Sequence, residues 1–155
     1  MLKYPLIQPQ MLAALAGAGH SSQVLITDGN YPAATSLGRN ATLVSLNLTP
    51  GVLSSTDVLQ ALLAAIPVEK ACTMDYARIG PYAMSEDPPV WLEYRDILTA
   101  AGYGDDLSLT PMDRQDFYEA AAGPDVALVV QTADQRIYAN ILLTISVVLP
   151  ATTDA

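Results

Sequence analysis

The feature that most constrains the fold is an alternation of compact apolar runs with segments of helical periodicity. QVLIT (residues 23–27) and DVALVVQT (125–132) are dominated by Val, Leu and Ile, which is typical of strands buried on both faces of a sheet. SSTDVLQALLAAI (54–66) and VWLEYRDILTAAG (90–102) instead repeat apolar residues at helical spacing. The alternation predicts an α/β fold in which helices flank a sheet of about five to six largely parallel strands.

Shorter patterns complete the series. PQMLAALAGAG (9–19) predicts a helix, with Gly17 and Gly19 available to end it in left-handed conformations. Ser54 and Asp57 have the spacing of a capping box at the start of the second helix. The remaining predicted elements are the strands TLVSLNL (42–48), KACTMDY (70–76), LSLTP (107–111) and YANILLTISVVL (138–149), and the helix DRQDFYEAAAG (113–123).

The chain length predicts one domain. With 155 residues the chain can build a single core but has little room for two. We expect the domain to cover residues 1–150 and the final ATTDA (151–155) to form a disordered tail. ARIGPYAMSEDPP (77–89) is rich in Pro and Gly and predicts a long loop, and loops of this length often carry function.

The charge balance excludes two classes of partner. The 16 acidic and 7 basic residues give a formal net charge of -9, and such a field repels nucleic acid phosphates and anionic lipid headgroups. Apolar residues make up 51% of the chain and charged residues only 15%, so we expect much apolar surface to be buried between subunits. The predicted partners are therefore other copies of the chain, with neither nucleic acid nor a membrane among them.

Three further absences favour a cytoplasmic protein. Cys72 is the only cysteine, so the chain has no internal disulfide and a reducing setting fits. The N-terminal MLKYPLIQPQ has no apolar core followed by a cleavage site, as a secretory signal would. The most apolar stretch, NILLTISVVLP, is about half as long as the roughly 20 residues of a membrane-spanning helix.

GHSSQVLITDGNYPA (19–33) contains the first candidate site residues. His20 is the only histidine, and Asp28 and Asn30 follow a predicted strand, where α/β proteins tend to build ligand sites. Each also has a plainer interpretation. DGN is good turn sequence, and His20 can be a surface residue that satisfies the end of the preceding helix.

Two other pairs of polar residues lie beside apolar segments. Arg114 and Tyr118 are four residues apart, which puts them on one face of the predicted helix, where Arg114 can equally pair with a neighbouring acidic residue. Tyr138 and Asn140 begin the last predicted strand, and residues two apart in a strand point to one face and can reach one pocket. A tyrosine beside a turn and an asparagine cap would give the same pattern.

The motifs of several large enzyme classes are absent from the sequence. It contains no glycine-rich phosphate loop, no G-x-S-x-G elbow, and no cluster of Cys, His and carboxylate residues with metal-ligand spacing. We therefore expect neither a metal nor a cofactor. The remaining interpretation is a small neutral ligand held by hydrogen bonds, with one imidazole able to move protons near neutral pH.

Three blocks in this order resemble the RbsD/FucU family, the D-ribose pyranases and L-fucose mutarotases. GHSSQVLITDGNYPA is similar to that family's GHGD…D-[AG]-N-[FY]-P-A segment, and DRQDFYE and YANILL are similar to its later blocks. The R-x-x-FYE form resembles the fucose mutarotase branch more than the ribose pyranase branch, which commonly has a second histidine. The chain departs from the family pattern at Ser21 and Ser22, where the family has Gly-Asp, and at Gln23.

The resemblance implies the RbsD/FucU-like fold and a role for each candidate residue. His20 would be the proton donor, Asp28 and Arg114 would bind the sugar, and Tyr118 lies in the same block as Arg114. Side-chain and backbone groups of one segment would also hold the sugar, namely Tyr138, Ala139 and Asn140. The implied reaction needs no cofactor, because mutarotation only opens a hemiacetal ring and recloses it on the other face of the aldehyde.

The resemblance further implies ring-shaped decamers with sites at subunit interfaces. Asp28 stands eight positions after His20, up to roughly 26 Å away in an extended chain, which is too far for both to touch one small sugar. Either the segment folds back or neighbouring subunits complete the site. Two classes of function stay open. One is an enzyme, either a sugar mutarotase of the fucose type or a ribose-type pyranase, and the other is a non-catalytic oligomeric sugar-binding protein.

Overall fold

The computed structural model describes residues 1–150 and contains a six-stranded sheet with helices on both faces. The α-helices are α1 (Pro9–Gly17), α2 (Ser55–Leu63), α3 (Pro89–Ala100) and α4 (Arg114–Ala121). The strands are β1 (Gln23–Thr27), β2 (Thr42–Ser45), β3 (Val68–Met74), β4 (Leu109–Met112), β5 (Val126–Gln131) and β6 (Ile141–Ile145). The tail predicted at 151–155 lies outside the described residues.

The sheet is largely parallel. Its strand order is β2-β5-β1-β6-β3-β4, and only β6 runs antiparallel to its neighbours, β1 and β3. The predicted α/β fold is therefore confirmed. The carboxyl ends of the parallel strands and the amino end of β6 meet at one edge, which we call the carboxyl edge, and the opposite edge is the amino edge.

Alternation along the strands builds a core on each face of the sheet. Val24 and Ile26 of β1 belong to the larger core, in which α1, α2 and α3 cover one face and Trp91 is fully buried. Leu25, between them in the strand, belongs to the smaller core, where Phe117 of α4 is fully buried. Because both faces are covered, the strand ends are held firmly and can position the loops that leave them.

The second helix begins as predicted. The Ser54 hydroxyl accepts a hydrogen bond from the Asp57 backbone N–H at 3.1 Å, and the Asp57 carboxylate accepts one from the Ser54 backbone N–H at 2.9 Å. This reciprocal pair is the capping box that the sequence predicts, with Asp in place of Glu.

The first helix does not end in the way the sequence predicts. It ends at Gly17, but neither Gly17 nor Gly19 is left-handed, and Ser21 has that conformation instead, with φ 68°. The Ser21 N–H donates to the Ile145 carbonyl at 3.0 Å, and the Ile145 N–H donates to the Ser22 carbonyl at 2.8 Å. Pairing with the end of β6, rather than termination of the helix, therefore fixes the turn that follows His20.

The last strand is shorter than the predicted 138–149. β1 begins at Gln23 and β3 at Val68, so residues beyond Ile145 have no strand beside them. Val147, Val148 and Leu149 are exposed by 51%, 81% and 78%. The apolar run thus continues past the sheet as exposed apolar surface.

Candidate active site

The carboxyl edge of the sheet carries a cavity of about 340 Å³. It lies between the turn after β1, the end of β3, the start of α4 and the turn before β6. Its lining residues are Asp28, Asn30, Tyr31, Met74, Tyr82, Arg114, Tyr118, Ile137, Tyr138 and Asn140. Most of the side chains predicted to form a site are thus brought together here, from segments far apart in the sequence.

Two buried polar side chains at this cavity hold each other in place. Asn140 Nδ2 donates to Asp28 Oδ2 at 2.8 Å, and the Asp28 backbone N–H donates to Asn140 Oδ1 at 3.0 Å. Asp28 is 3% exposed and Asn140 is 4% exposed. Because β1 and β6 are antiparallel neighbours, the residue after β1 lies beside the residue before β6. The sheet topology therefore creates this pair.

The other oxygen of Asp28 builds the turn after β1. Oδ1 accepts hydrogen bonds from the backbone N–H groups of Asn30 and Tyr31, both at 2.9 Å. The turn interpretation of DGN is thus correct, and the same carboxyl also lines the cavity. Burial raises the pKa of Asp28, while hydrogen bonds from Asn30, Asn140 and Tyr31 oppose the rise. A carboxyl group held in this way can accept a hydrogen bond from a hydroxyl group or exchange a proton with it.

Tyr138 holds the long loop against the cavity. Its hydroxyl donates to the Tyr82 carbonyl at 2.9 Å and accepts from the Ala77 N–H at 3.0 Å. The sequence predicts that Tyr138 belongs to the last strand, and this prediction is wrong. Tyr138 lies in the turn before the strand with φ 62°, a value that bulky residues rarely adopt. Its carbonyl accepts a hydrogen bond from Trp91 Nε1 at 3.3 Å, and these contacts hold the unfavourable backbone in place. Tyr138 still lines the cavity together with Asn140, as the sequence predicts.

Helix α4 contributes a cation and an aromatic ring. Asp113 caps this helix, because its carboxylate accepts the Gln115 N–H at 2.9 Å. Arg114 is exposed, lies 5.8 Å from the centre of the Tyr118 ring, and forms none of the ion pairs found within residues 1–150. Tyr118 stacks on Tyr31 with ring centres 5.4 Å apart. The guanidinium is thus held at the cavity wall with its donors available to a ligand.

Ala139 is the predicted residue of this edge that does not line the cavity. It is fully buried and packs in the larger core, between Tyr138 and Asn140 in the chain. Its predicted contribution to the site, through the backbone, stays a prediction.

His20 lies at the opposite edge of the sheet. It precedes β1, whereas Asp28 follows it, and the strand between them is extended over about 17 Å. His20 is exposed and lines a separate cavity of about 460 Å³ near Asn40 and Asp125. The segment therefore does not fold back, and within one chain His20 does not join the cavity at the carboxyl edge.

An ionic network centred on the buried Asp134 supports the turn that carries Tyr138. Asp134 accepts hydrogen bonds from the backbone N–H and hydroxyl of Ser55, at 3.0 and 2.8 Å, and from Arg136 Nη2 at 2.7 Å. Burial alone would raise the pKa of Asp134, but the hydrogen bonds from Arg136 and Ser55 lower it to about 2. Arg136 also donates to Glu93 of α3 at 2.7 Å. The turn is therefore tied to the start of α2 and to the second turn of α3.

Comparison with known proteins identifies the family. Residues 1–148 match the RbsD / FucU transport protein family. The chain belongs to the RbsD/FucU family. The fucose mutarotase of Bos taurus is 29% identical over 154 residues, which cover 94% of this chain and 92% of that protein. The fucose mutarotase of Homo sapiens is 28% identical over 142 residues, 89% of this chain and 87% of that protein. The predicted RbsD/FucU resemblance is confirmed.

Solved structures in this family share the fold along nearly the whole chain. FucU from Bifidobacterium longum has a TM-score of 0.77 at 28% identity and covers 92% of this chain and 96% of its own. The fucose mutarotase from Streptococcus pneumoniae, solved in complex with L-fucose, has a TM-score of 0.80 at 24% identity, with 96% and 100% covered. RbsD from Bacillus subtilis, complexed with D-ribose, has a TM-score of 0.70 at 19% identity, with the same coverage. The predicted RbsD/FucU-like fold is thereby confirmed.

The described side chains of residues 1–150 include no group of three or more His, Cys, Asp or Glu arranged to hold a metal ion. None of the helices in that range is long and apolar enough to cross a membrane.

Sequence reasoning missed four residues of the candidate site. Tyr31, Met74, Tyr82 and Ile137 line the cavity but were not predicted. Met74 ends a predicted strand and Tyr31 follows a predicted turn, so their positions at the carboxyl edge were a signal. Tyr82 and Ile137 stand in loops without a pattern, and only the folded chain brings them to the cavity.

Proposed function

We propose that this chain is a sugar mutarotase that interconverts the anomers of a monosaccharide such as L-fucose. The observation that carries the proposal is the Asp28–Asn140 pair, buried at the base of a cavity whose wall holds Arg114. A cavity of about 340 Å³ fits one monosaccharide, and its mixture of acceptors and donors matches sugar hydroxyls. The relatives named as fucose mutarotases support the same reaction.

Ring opening and ring closure each need two proton transfers, and neither changes an oxidation state. One group protonates the ring oxygen while another removes the anomeric hydroxyl proton, so the C1–O5 bond breaks and an aldehyde forms. After rotation about the C1–C2 bond, the two transfers run in reverse on the other face of the aldehyde. Arg114 donates hydrogen bonds to the sugar hydroxyls, and Asp28 takes the anomeric hydroxyl proton when the ring opens and returns it when the ring recloses. We assign the proton on the ring oxygen to the His20 imidazole.

His20 would reach the sugar from a second copy of the chain. Within one chain it lies at the amino edge, and β1, about 17 Å long, stands between it and the cavity, so a complete site requires two copies. The exposed apolar residues at 147–149 and the 51% apolar composition support extensive self-association. We propose a ring-shaped assembly, a decamer by resemblance to the family, and a cytoplasmic location.

One observation favours a second candidate, a sugar-binding protein without turnover. The hydrogen-bonding cavity is complete within one chain, whereas the only imidazole lies outside it. An oligomer in which no imidazole reaches the cavity would bind sugar without exchanging its anomers. A ribose-type pyranase is the neighbouring enzymatic alternative.

Exchange NMR on the anomeric protons of L-fucose, D-ribose, D-galactose and D-glucose tests the proposal. Wild-type protein should accelerate anomer exchange of at least one sugar, and His20→Ala should abolish the acceleration while the assembly mass is unchanged. Asp96→Asn, a change of an exposed α3 carboxylate, is the matched control and should behave as wild type. Saturable sugar binding without accelerated exchange would instead establish the binding protein. If His20→Ala accelerated anomer exchange as wild type does, the assignment of His20 as the proton donor would be refuted.

A further inference from the structure

The buried polar pair and the buried apolar residue at the base of the cavity come from different strands. Asp28 follows β1 and Asn140 precedes β6, and these two strands are neighbours in the sheet. Met74 ends β3, which lies on the other side of β6 from β1. The order of the strands therefore places a hydrogen-bonding pair at one side of the base and a thioether side chain at the other.

Two more apolar side chains line the cavity, and both belong to segments joined to the end of β3. Tyr82 lies in the loop that connects β3 to α3, and Ile137 lies in the turn before β6. The hydroxyl of Tyr138 joins this turn to the loop, because it accepts from the Ala77 N–H at 3.0 Å and donates to the Tyr82 carbonyl at 2.9 Å. We call Met74, Tyr82 and Ile137 the apolar wall of the cavity.

Backbone hydrogen bonds fix the position of Tyr82 in the loop. The Met84 N–H donates to the Ala77 carbonyl at 3.0 Å, and the Ala83 N–H donates to the Gly80 carbonyl at 3.2 Å. Gly80 has φ 98°, a conformation that glycine adopts without strain. The loop is thus closed on itself on both sides of Tyr82, and it presents the side chain from a fixed turn.

The apolar wall runs from the buried base of the cavity to its open rim. Met74 is 4% exposed, Ile137 41% and Tyr82 66%. The aromatic ring at the rim therefore leaves apolar surface in contact with water. A ligand that covers this surface gains free energy from its burial, and a tyrosine ring loses little conformational entropy when it is covered. The ring is thus suited to receive the apolar part of a ligand whose hydroxyls are bound elsewhere in the cavity.

We propose that Tyr82 is a specificity-determining residue whose ring packs, together with Met74 and Ile137, against the methyl group of a 6-deoxy sugar. The inference rests on the proposed function, in which this cavity binds a monosaccharide such as L-fucose. The methyl group is the one carbon of L-fucose that carries no oxygen. A hydroxyl added to that carbon would lose its water against carbon surface, so the wall selects against the hydroxymethyl sugar.

A pair of sugars that differ by one oxygen tests the proposal. L-Galactose is L-fucose with a hydroxyl on the methyl carbon, and the dissociation constants of both are measured by titration calorimetry. Wild type should bind L-fucose more tightly. Tyr82→Ala should weaken L-fucose binding about fourfold, the factor that corresponds to burial of one methyl-sized group, and should leave L-galactose binding nearly unchanged. Tyr82→Phe should keep the wild-type preference, because the proposal assigns the contact to the ring and not to the hydroxyl.

Ile79→Ala is the matched control for the loop. Ile79 lies in the same loop and is 88% exposed, but it does not line the cavity, so both dissociation constants should equal those of wild type. Tyr82→Ala should also keep the wild-type assembly mass and the wild-type rate of trypsin cleavage after Arg78. A smaller assembly or faster cleavage would mean that the ring supports a subunit contact or the loop itself, and the proposal would be wrong.

The remaining outcomes separate this proposal from the proposed function. No loss of L-fucose binding in Tyr82→Ala, or an equal loss for both sugars, would overturn the role of Tyr82 even if wild type accelerates anomer exchange. If wild type binds L-fucose without accelerating exchange, the proposed function fails, and the ratio of the two dissociation constants still decides the role of Tyr82. Wild type that binds neither sugar would contradict both proposals.

Discussion

Removing the hydroxyl of Tyr138 tests whether this residue anchors the long loop or serves the ligand directly. Tyr138→Phe keeps the ring and deletes one oxygen. That oxygen donates to the Tyr82 carbonyl and accepts from the Ala77 N–H, in a residue only 7% exposed. The hydroxyl donates its single proton to the loop, so we expect Tyr138→Phe mainly to weaken the anchoring of the loop.

The magnitude follows from the two hydrogen bonds. Each contributes about 1 kcal/mol net, so the variant should lose about 2 kcal/mol of loop stability, which is about a 30-fold rise in the population of the open loop. Global unfolding in urea should shift by a similar or smaller amount, because loops open locally before the core does.

Limited trypsin digestion measures loop opening directly, because Arg78 lies in the anchored loop and its side chain is 57% exposed. Cleavage after Arg78 should be about 30-fold faster in Tyr138→Phe than in wild type. Tyr103→Phe is the matched control. It deletes a hydroxyl that accepts the Val68 N–H at 2.8 Å, far from the loop, and should leave cleavage after Arg78 unchanged. Unchanged cleavage in Tyr138→Phe together with weaker sugar binding would refute this reasoning and return the hydroxyl to the sugar.

Three further predictions follow from the charged groups. Burial raises the pKa of Asp28, so the stability that its protonated form contributes is present below the pKa of the unfolded chain and is lost as pH rises through the folded pKa. In urea unfolding, wild type should therefore lose stability over that rise relative to Asp28→Asn, which cannot ionise. Hydrogen bonds from Arg136 lower the pKa of Asp134 to about 2, so the ionised form of Asp134 contributes stability above the pKa of the unfolded chain. Asp134→Asn should therefore lower the free energy of unfolding by about 1–2 kcal/mol near neutral pH, and this loss should vanish as pH falls from about 4 to about 2. Arg114→Ala should raise the KM for the sugar about tenfold without changing urea stability, because Arg114 is exposed and forms no ion pair among the side chains that the structure describes.

The features that the sequence predicts well are those set by neighbours in the chain. The capping box of Ser54 and Asp57 spans four residues, and the apolar runs identify buried strands without knowledge of their partners. The predicted extent of β6 was wrong because a strand ends where its neighbouring strands end. That point depends on the sheet and not on the apolar run itself.

The site residues that lie in the blocks resembling the RbsD/FucU family could be predicted from the sequence. The contacts that depend on the order of the strands in the sheet were less predictable. Asp28 and Asn140 are 112 positions apart and meet only because β1 and β6 are neighbours. Tyr82 reaches the cavity through a loop without periodicity, held by Tyr138. Long-range backbone pairing, rather than local pattern, explains each of these contacts.

The central claim is that a complete site combines the cavity of one chain with His20 of another, and mixing two inactive variants tests it most directly. His20→Ala keeps the cavity and Asn140→Ala keeps the imidazole, so neither alone should accelerate anomer exchange. Unfolded together and reassembled in equal amounts, they should recover about a quarter of wild-type activity, because random assortment in a symmetric ring pairs intact halves at that frequency. Mixed assemblies that stay inactive, with wild type active under the same reassembly, would contradict the claim.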